Sequence, residues 1–274
     1  MTLSDQDKQY INDLEEFLNF SAQKLSAYNY SISDHKTRKN ILYLHLGALQ
    51  GILAPMPTLL KSEQTLAAQI LLRSLFETHL FLSYLFSVGN QSHVIQAIYE
   101  DVRRKLKTLN DIKEFTTQYP QEVGGLPSIS DIDKKIREYT RLKTKVKKIY
   151  QERYRSGSYS WPRNLAELSR MVDADHNLQR PPRSQKHDYE RRYITVYDYW
   201  SRMAHMDLTG VNTQLQRIET GWVFGADSHE VEAISVSTYA FYFELIHLAS
   251  RQFGTPASSE LKPFADKLTS YRRS

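Results

Sequence analysis

An all-α fold, a single multi-helix bundle built around one long buried helix, is what three features of this sequence predict. Only 10 glycines and 9 prolines punctuate 274 residues. Few segments alternate with the two-residue period of a strand. Apolar residues instead recur at three- and four-residue spacing along most of the chain, the signature of amphipathic helices.

Each element has its own local warrant. A first helix over 4–27 carries Tyr10, Ile11, Leu14, Phe17 and Leu18 on one face. A second, over 36–54, carries Ile41, Leu42, Leu44, Leu46 and Leu49 and is stopped by Pro55 and Pro57. Ser62 is placed to cap a long third helix that runs to Phe86 and ends before Gly89-Asn90. A fourth spans 91–118 and closes before Pro120. The loop QEVGGLPS follows, and Ser130 with Asp133 three residues on marks the start of a basic amphipathic helix over 131–155. A short helix after Trp161-Pro162, an exposed basic linker over 180–188, and helices near 189–203 and 206–219 come next. Residues 221–228 read as a loop or hairpin-like excursion, and helices over 229–252 and after Pro256 complete about nine. No repeat and no low-complexity linker breaks the chain, so one domain over 1–274 is expected, with the helices of 229–270 packed on its core.

Composition excludes several function classes. With no cysteine, the chain has no disulfide, thiolate metal site or cysteine nucleophile. The stretch from Thr65 to Phe86 is long enough to span a bilayer, but Arg73 and Glu77 near its middle would be costly in lipid, so no membrane partner is expected. The start MTLSDQDKQYINDLEEF is acidic where a signal peptide is basic and then apolar, which points to the cytoplasm. A net charge of +5 and a pI near 9.1 permit a polyanionic partner without requiring one.

The third helix poses the sharpest question. Apolar residues surround it almost completely, as in a helix at the centre of a bundle, yet it keeps Arg73, Glu77 and His79. Buried charges need partners, and residues four apart share a helix face, so Arg73 and Glu77 are expected to pair. Further partners are sought in Tyr197–Asp207, where Ser201 and His205 also stand one turn apart. Arg73, Glu77, Ser201 and His205 form the candidate catalytic cluster; the competing reading is a structural network that fixes helix register. His79, two residues from Glu77, points elsewhere and is read as a core or interface histidine.

These residues carry a resemblance. The R-x3-E of Arg73 and Glu77, a basic helical middle, the Trp-led WPRNLAELSRMV of 161–172, and the Y-x3-S-x3-H of Tyr197, Ser201 and His205 resemble a bacterial helical family of unknown function, over residues 40–220. The resemblance implies an all-helical fold and those four polar residues as a signature, and no activity. A weaker likeness is to the HEPN helical-bundle ribonucleases, which pair an Arg and a His four to six residues apart, usually across a dimer interface. Arg73-x5-His79 has that spacing, but Ser74 stands where Asn, Asp or His is usual. In an unbroken helix the two residues also lie about 120° apart around the axis. The likeness implies a homodimer and metal-independent RNA cleavage.

The basic helix supplies a second candidate site. Lys134, Lys135, Arg141, Lys145 and Lys148, joined by Arg183 and Arg192 of the linker, would track a phosphate backbone, with Tyr139, Tyr150 and Tyr154 stacking on bases. Alternatively the charges form a solvated face and the tyrosines belong to the buried stripe. Glu244-Leu-Ile-His247 is the single Glu-x-x-His unit, too few ligands for a di-iron bundle, and no phosphate loop, nucleophile elbow or zincin motif occurs. No cofactor or metal is therefore expected. Two functions remain: an RNA-directed effector in which His205 is general acid or base, Glu77 orients it and Arg73 steadies phosphate charge, or a non-enzymatic scaffold or small-ligand-binding protein.

Overall fold

The computed structural model describes residues 3–27, 38–87, 91–120, 127–154, 164–179, 188–198, 215–218, 221–224 and 228–271. The protein is an all-α, multi-helix protein with one two-stranded ribbon among the described residues. Where the sequence suggests one domain, the chain groups into two compact units: Met1–Val88 with Asn164–Ser274, and Gly89–Arg163.

The first unit contains α1 (Asp5–Ala27), α2 (Arg38–Leu53), α3 (Met56–Lys61), α4 (Thr65–Ser87), α7 (Leu165–Gln179), α8 (Asp188–Arg192), α9 (Ser228–Phe253) and α10 (Ser258–Tyr271). Helix α2 ends at Leu53, before Pro55 and Pro57 as expected, and a short additional helix, α3, follows at once. Proline is at home in a first helical turn, and here Pro57 opens a new helix. Ser62 closes that helix rather than capping α4. The Gln64 N–H reaches Leu59 O at 2.8 Å and the Glu63 N–H reaches Leu60 O at 3.1 Å, with Glu63 left-handed at φ 56°. This is the double closure of a Schellman motif, made without the usual glycine.

Helix α4 lies between α9, α7, α2 and α3. Leu72, Leu75, Phe76, His79, Leu80 and Leu85 are fully enclosed, as a central helix requires. On the other side of the core, Phe17 of α1 meets Tyr239 at 4.9 Å and Phe264 at 5.0 Å between ring centroids, joining α1, α9 and α10. Helix α8 runs directly into a wider π turn over Tyr193–Asp198, so the helix expected at 189–203 changes pitch after Arg192. The helix expected over 206–219 is also corrected: Leu215–Ile218 is a strand, β1, pairing antiparallel with β2, Gly221–Phe224. Leu215 faces Phe224 in register and Ile218 faces Gly221, so the hairpin-like excursion begins earlier than the helical periodicity suggested.

The second unit is a helical hairpin of α5 (Gln91–Gln118) and α6 (Ile129–Tyr154). Ile95, Val146 and Tyr150 form its buried centre, with Ile98, Tyr99, Leu142 and Ile149 around them. Helix α6 begins two residues before the expected start. Ser128, not Ser130, caps it, its hydroxyl accepting from the Asp131 N–H at 3.2 Å and donating to the Asp131 carboxylate at 2.6 Å.

Candidate functional site

Two polar clusters form where α4 meets the segment 188–198. The first contains the expected pair. Arg73 Nε donates to Glu77 Oε1 at 3.0 Å, and the Tyr197 hydroxyl donates to the same oxygen at 2.9 Å. The guanidinium also lies over the Tyr197 ring, 5.2 Å from its centroid. Burial alone would lower the Arg73 pKa, but the hydrogen bonds and charges of Glu77 and Tyr197 together outweigh it and the guanidinium is held more firmly charged. Burial followed by the Glu77 carboxylate raises the Tyr197 phenol.

Arg73 and Glu77 are less buried than the apolar surroundings of α4 imply. Their side chains are 24% and 41% exposed. The difference has a visible cause: Ile70, one turn before Ser74, is itself 45% exposed, so α4 has an open flank. Glu77 Oε2 makes no hydrogen bond among the described residues, which leaves a carboxylate oxygen at a partly open surface. Ser201 and His205 lie outside the described residues.

The second cluster was not anticipated. His79, 1% exposed, places Nε2 at 2.8 Å from Glu244 Oε2. Arg192 Nη1 donates to both Glu244 oxygens, at 3.0 and 2.9 Å, while its Nη2 reaches Asp188 at 2.8 Å. Aromatic faces enclose these groups. His79 stacks on Tyr189 at 5.8 Å, and Arg192 lies over Tyr189 and Phe241. Burial would raise the Glu244 pKa, but the His79 hydrogen bond and the Arg192 charge hold it well below the carboxylate range. Burial, reinforced by Glu244, pushes the Tyr189 phenol up to about 12. The α8 amides of Tyr189 and Glu190 each donate at 2.9 Å to the buried Asp173 carboxylate, which fixes the start of α8 on α7.

This arrangement revises several expectations. His79 is a satisfied core histidine at Nε2, as read, but its partner is the glutamate of the Glu-x-x-His unit. His247 of that unit is exposed and stacks on Phe243 instead, so Glu244 and His247 do not converge. Arg73 and His79 serve different carboxylates, and the HEPN-spaced pair is not assembled. Arg192, expected on an exposed linker, is only 18% exposed and turned inward. A guanidinium one turn from Asp188 and facing a half-buried carboxylate gains more from that pairing than from solvent.

The basic residues of α6 stand as a separate group. Lys134, Lys135, Arg137, Arg141, Lys145 and Lys148 are all exposed, and Arg183 lies outside the described residues. By helical geometry Lys134, Arg137, Arg141, Lys145 and Lys148 fall within roughly a quarter of the circumference, opposite the face packed on α5. Among the described residues only Lys148 of these five has a carboxylate partner, Glu152 at 3.7 Å. Tyr139 and Tyr150 are not beside them. Tyr150 is buried and accepts from Gln96 at 3.1 Å, and Tyr139 is half-buried beneath Lys105.

A family model described as a family of unknown function, DUF5677, matches residues 39–220. The chain belongs to this family. The matched span takes in Arg73, Glu77, His79, α6, Arg192 and Tyr197, and stops short of α9, which brings Glu244. No curated protein and no solved structure matches the chain. No helix of the described residues is long and apolar enough to cross a membrane.

Proposed function

We propose that this member of DUF5677 binds RNA through the outer face of α6. The stripe of five cations from Lys134 to Lys148 is the observation that carries this reading. It extends for about 21 Å at 1.5 Å per residue, with a cation every 5 Å or so, a spacing suited to successive phosphates. Charge is also segregated between the units: residues 89–163 hold 16 Lys and Arg against 9 Asp and Glu, a net +7, which leaves −2 for the rest of a chain whose total is +5. A charge field confined to one unit draws polyanions to that unit.

Cleavage is the finer part of the proposal. Glu77, oriented by Arg73 and Tyr197, would polarise His205, and the RNA's own 2′-hydroxyl would be the nucleophile, so no metal is needed. A second reading has its own support: Arg73 and Tyr197 both donate to Glu77 Oε1 and the guanidinium lies over the Tyr197 ring, as in a structural network or a pocket for a small polar ligand. Incubating the full chain and its His205→Ala variant with cellular RNA in EDTA separates them. Cleavage lost in a folded variant supports catalysis; binding without cleavage by either protein leaves an RNA-binding protein with a structural cluster.

A further inference from the structure

The outer face of α6 suits a phosphate chain of any RNA, but the loop end of its hairpin is more selective. Phe115 and Tyr119, one turn apart near the end of α5, are each 42% exposed, with ring centroids 5.2 Å apart. Both stand among the most exposed large apolar side chains whose burial is described. Two adjacent, partly exposed aromatic rings offer faces on which a further ring can stack.

Four contacts fix what lies beside them. Lys113 pairs with Asp133 at 2.7 Å, Lys105 lies over Tyr139, Lys143 lies over Tyr99, and Gln96 bonds Tyr150, so α5 and α6 run antiparallel in one register. That register sets Phe115 and Tyr119 beside the first turn of α6. There Pro127, Asp131, Lys134, Lys135 and Glu138 line a shallow cradle. On α5 the aromatic pair lies roughly 125° round from the packed face, and the cradle residues lie to the same side of α6. Lys134, the first cation of the basic face, thus belongs to the cradle as well, with Lys135 beside it.

We propose that this hairpin tip takes an unpaired nucleobase of single-stranded RNA. Phe115 and Tyr119 stack on the base, Lys134 and Lys135 hold the flanking phosphates, and the strand continues along Arg137, Arg141, Lys145 and Lys148. The carboxylates of the cradle fit a base better than a phosphate. Asp131 is engaged by Ser128, and Glu138 repels a phosphate while accepting from the amino groups of adenine, cytosine or guanine. Duplex RNA hides its base faces in the stack and offers nothing to the aromatic pair.

The inference rests on the RNA-binding reading, and one experiment distinguishes their failures. Fluorescence anisotropy is measured for a short labelled RNA strand, and for the same strand in a duplex, with the full chain and with Phe115→Ala/Tyr119→Ala and Tyr119→Phe. The expected result is tighter binding of the single strand, weakened roughly tenfold in the double alanine variant as befits a lost stacking contact. The dependence on salt should not change, since no cation is removed, and Tyr119→Phe should bind normally. Equal affinity for both RNAs, or an unweakened double variant, overturns the inference and leaves RNA binding standing. No affinity of the native chain for either RNA overturns both.

Discussion

His79 donates from Nε2 to Glu244 Oε2 at 2.8 Å while its Nδ1 has no partner among the described residues. A carboxylate only accepts, so the ring proton belongs on Nε2, and an unpaired buried lone pair costs less than an unpaired N–H. This contact, with Arg192 on the same carboxylate, joins α4, α8 and α9.

Removing Glu244 should therefore be costly. Glu244→Ala leaves the Arg192 charge facing a mostly enclosed site without its main partner, and urea unfolding should register a loss of about 3 kcal/mol, the lower end of the range for broken buried pairs because Glu244 keeps some contact with water. Arg73→Ala should cost less than about 1 kcal/mol, because that pair is half-open and screened. Equal losses for the two would mean the exposure difference does not set their strengths.

The same carboxylate gives a pH signature. Its folded pKa lies below the unfolded one, so its contribution is complete above the ordinary glutamate value of about 4.3 and is lost as pH falls toward the depressed value. Native protein should lose stability on acidification below about pH 4. Glu244→Gln should be less stable at neutral pH and show a flatter acid limb in thermal melts.

A second anchor holds the C-terminal helix. The buried Asp13 of α1 accepts from Lys267 at 2.8 Å and from the Tyr271 hydroxyl, both on α10. Burial would raise the Asp13 pKa, but the Lys267 and Tyr271 hydrogen bonds lower it on balance. Asp13→Ala should destabilise by about 2 kcal/mol, because the Lys267 and Tyr271 hydrogen bonds to it are lost together, and Tyr271→Phe by about 1 kcal/mol. Hydrogen exchange of α10 should quicken more than that of α4 in both variants.

Much of this architecture is legible in the sequence because periodicity reports burial directly: α1, α2, α4, α5, α6 and α9 fall close to their expected spans. What the sequence hides is partnership at long range. Arg73 and Glu77 are four residues apart and pair as their spacing requires, and Tyr197 was in the segment searched for their partner. Glu244 is 165 residues from His79, and no local pattern links them. Arg192 sits among linker arginines and cannot be told from them by composition. Phe115 and Tyr119 look like core residues until their packing is known, whereas Tyr139 and Tyr150 of α6, which look like stacking platforms, are covered and buried.

The most direct test of the account is the affinity of the full chain for RNA as a function of salt, alongside Lys134→Glu/Arg141→Glu/Lys145→Glu. If the five cations of α6 contact phosphates of a single strand, log affinity should fall with log salt at a slope near −3.5, about 0.7 per contact. The triple variant should bind at least a hundredfold more weakly with a shallower slope. Native affinity and slope retained in the triple variant, or no binding by the native chain at low salt, would contradict it.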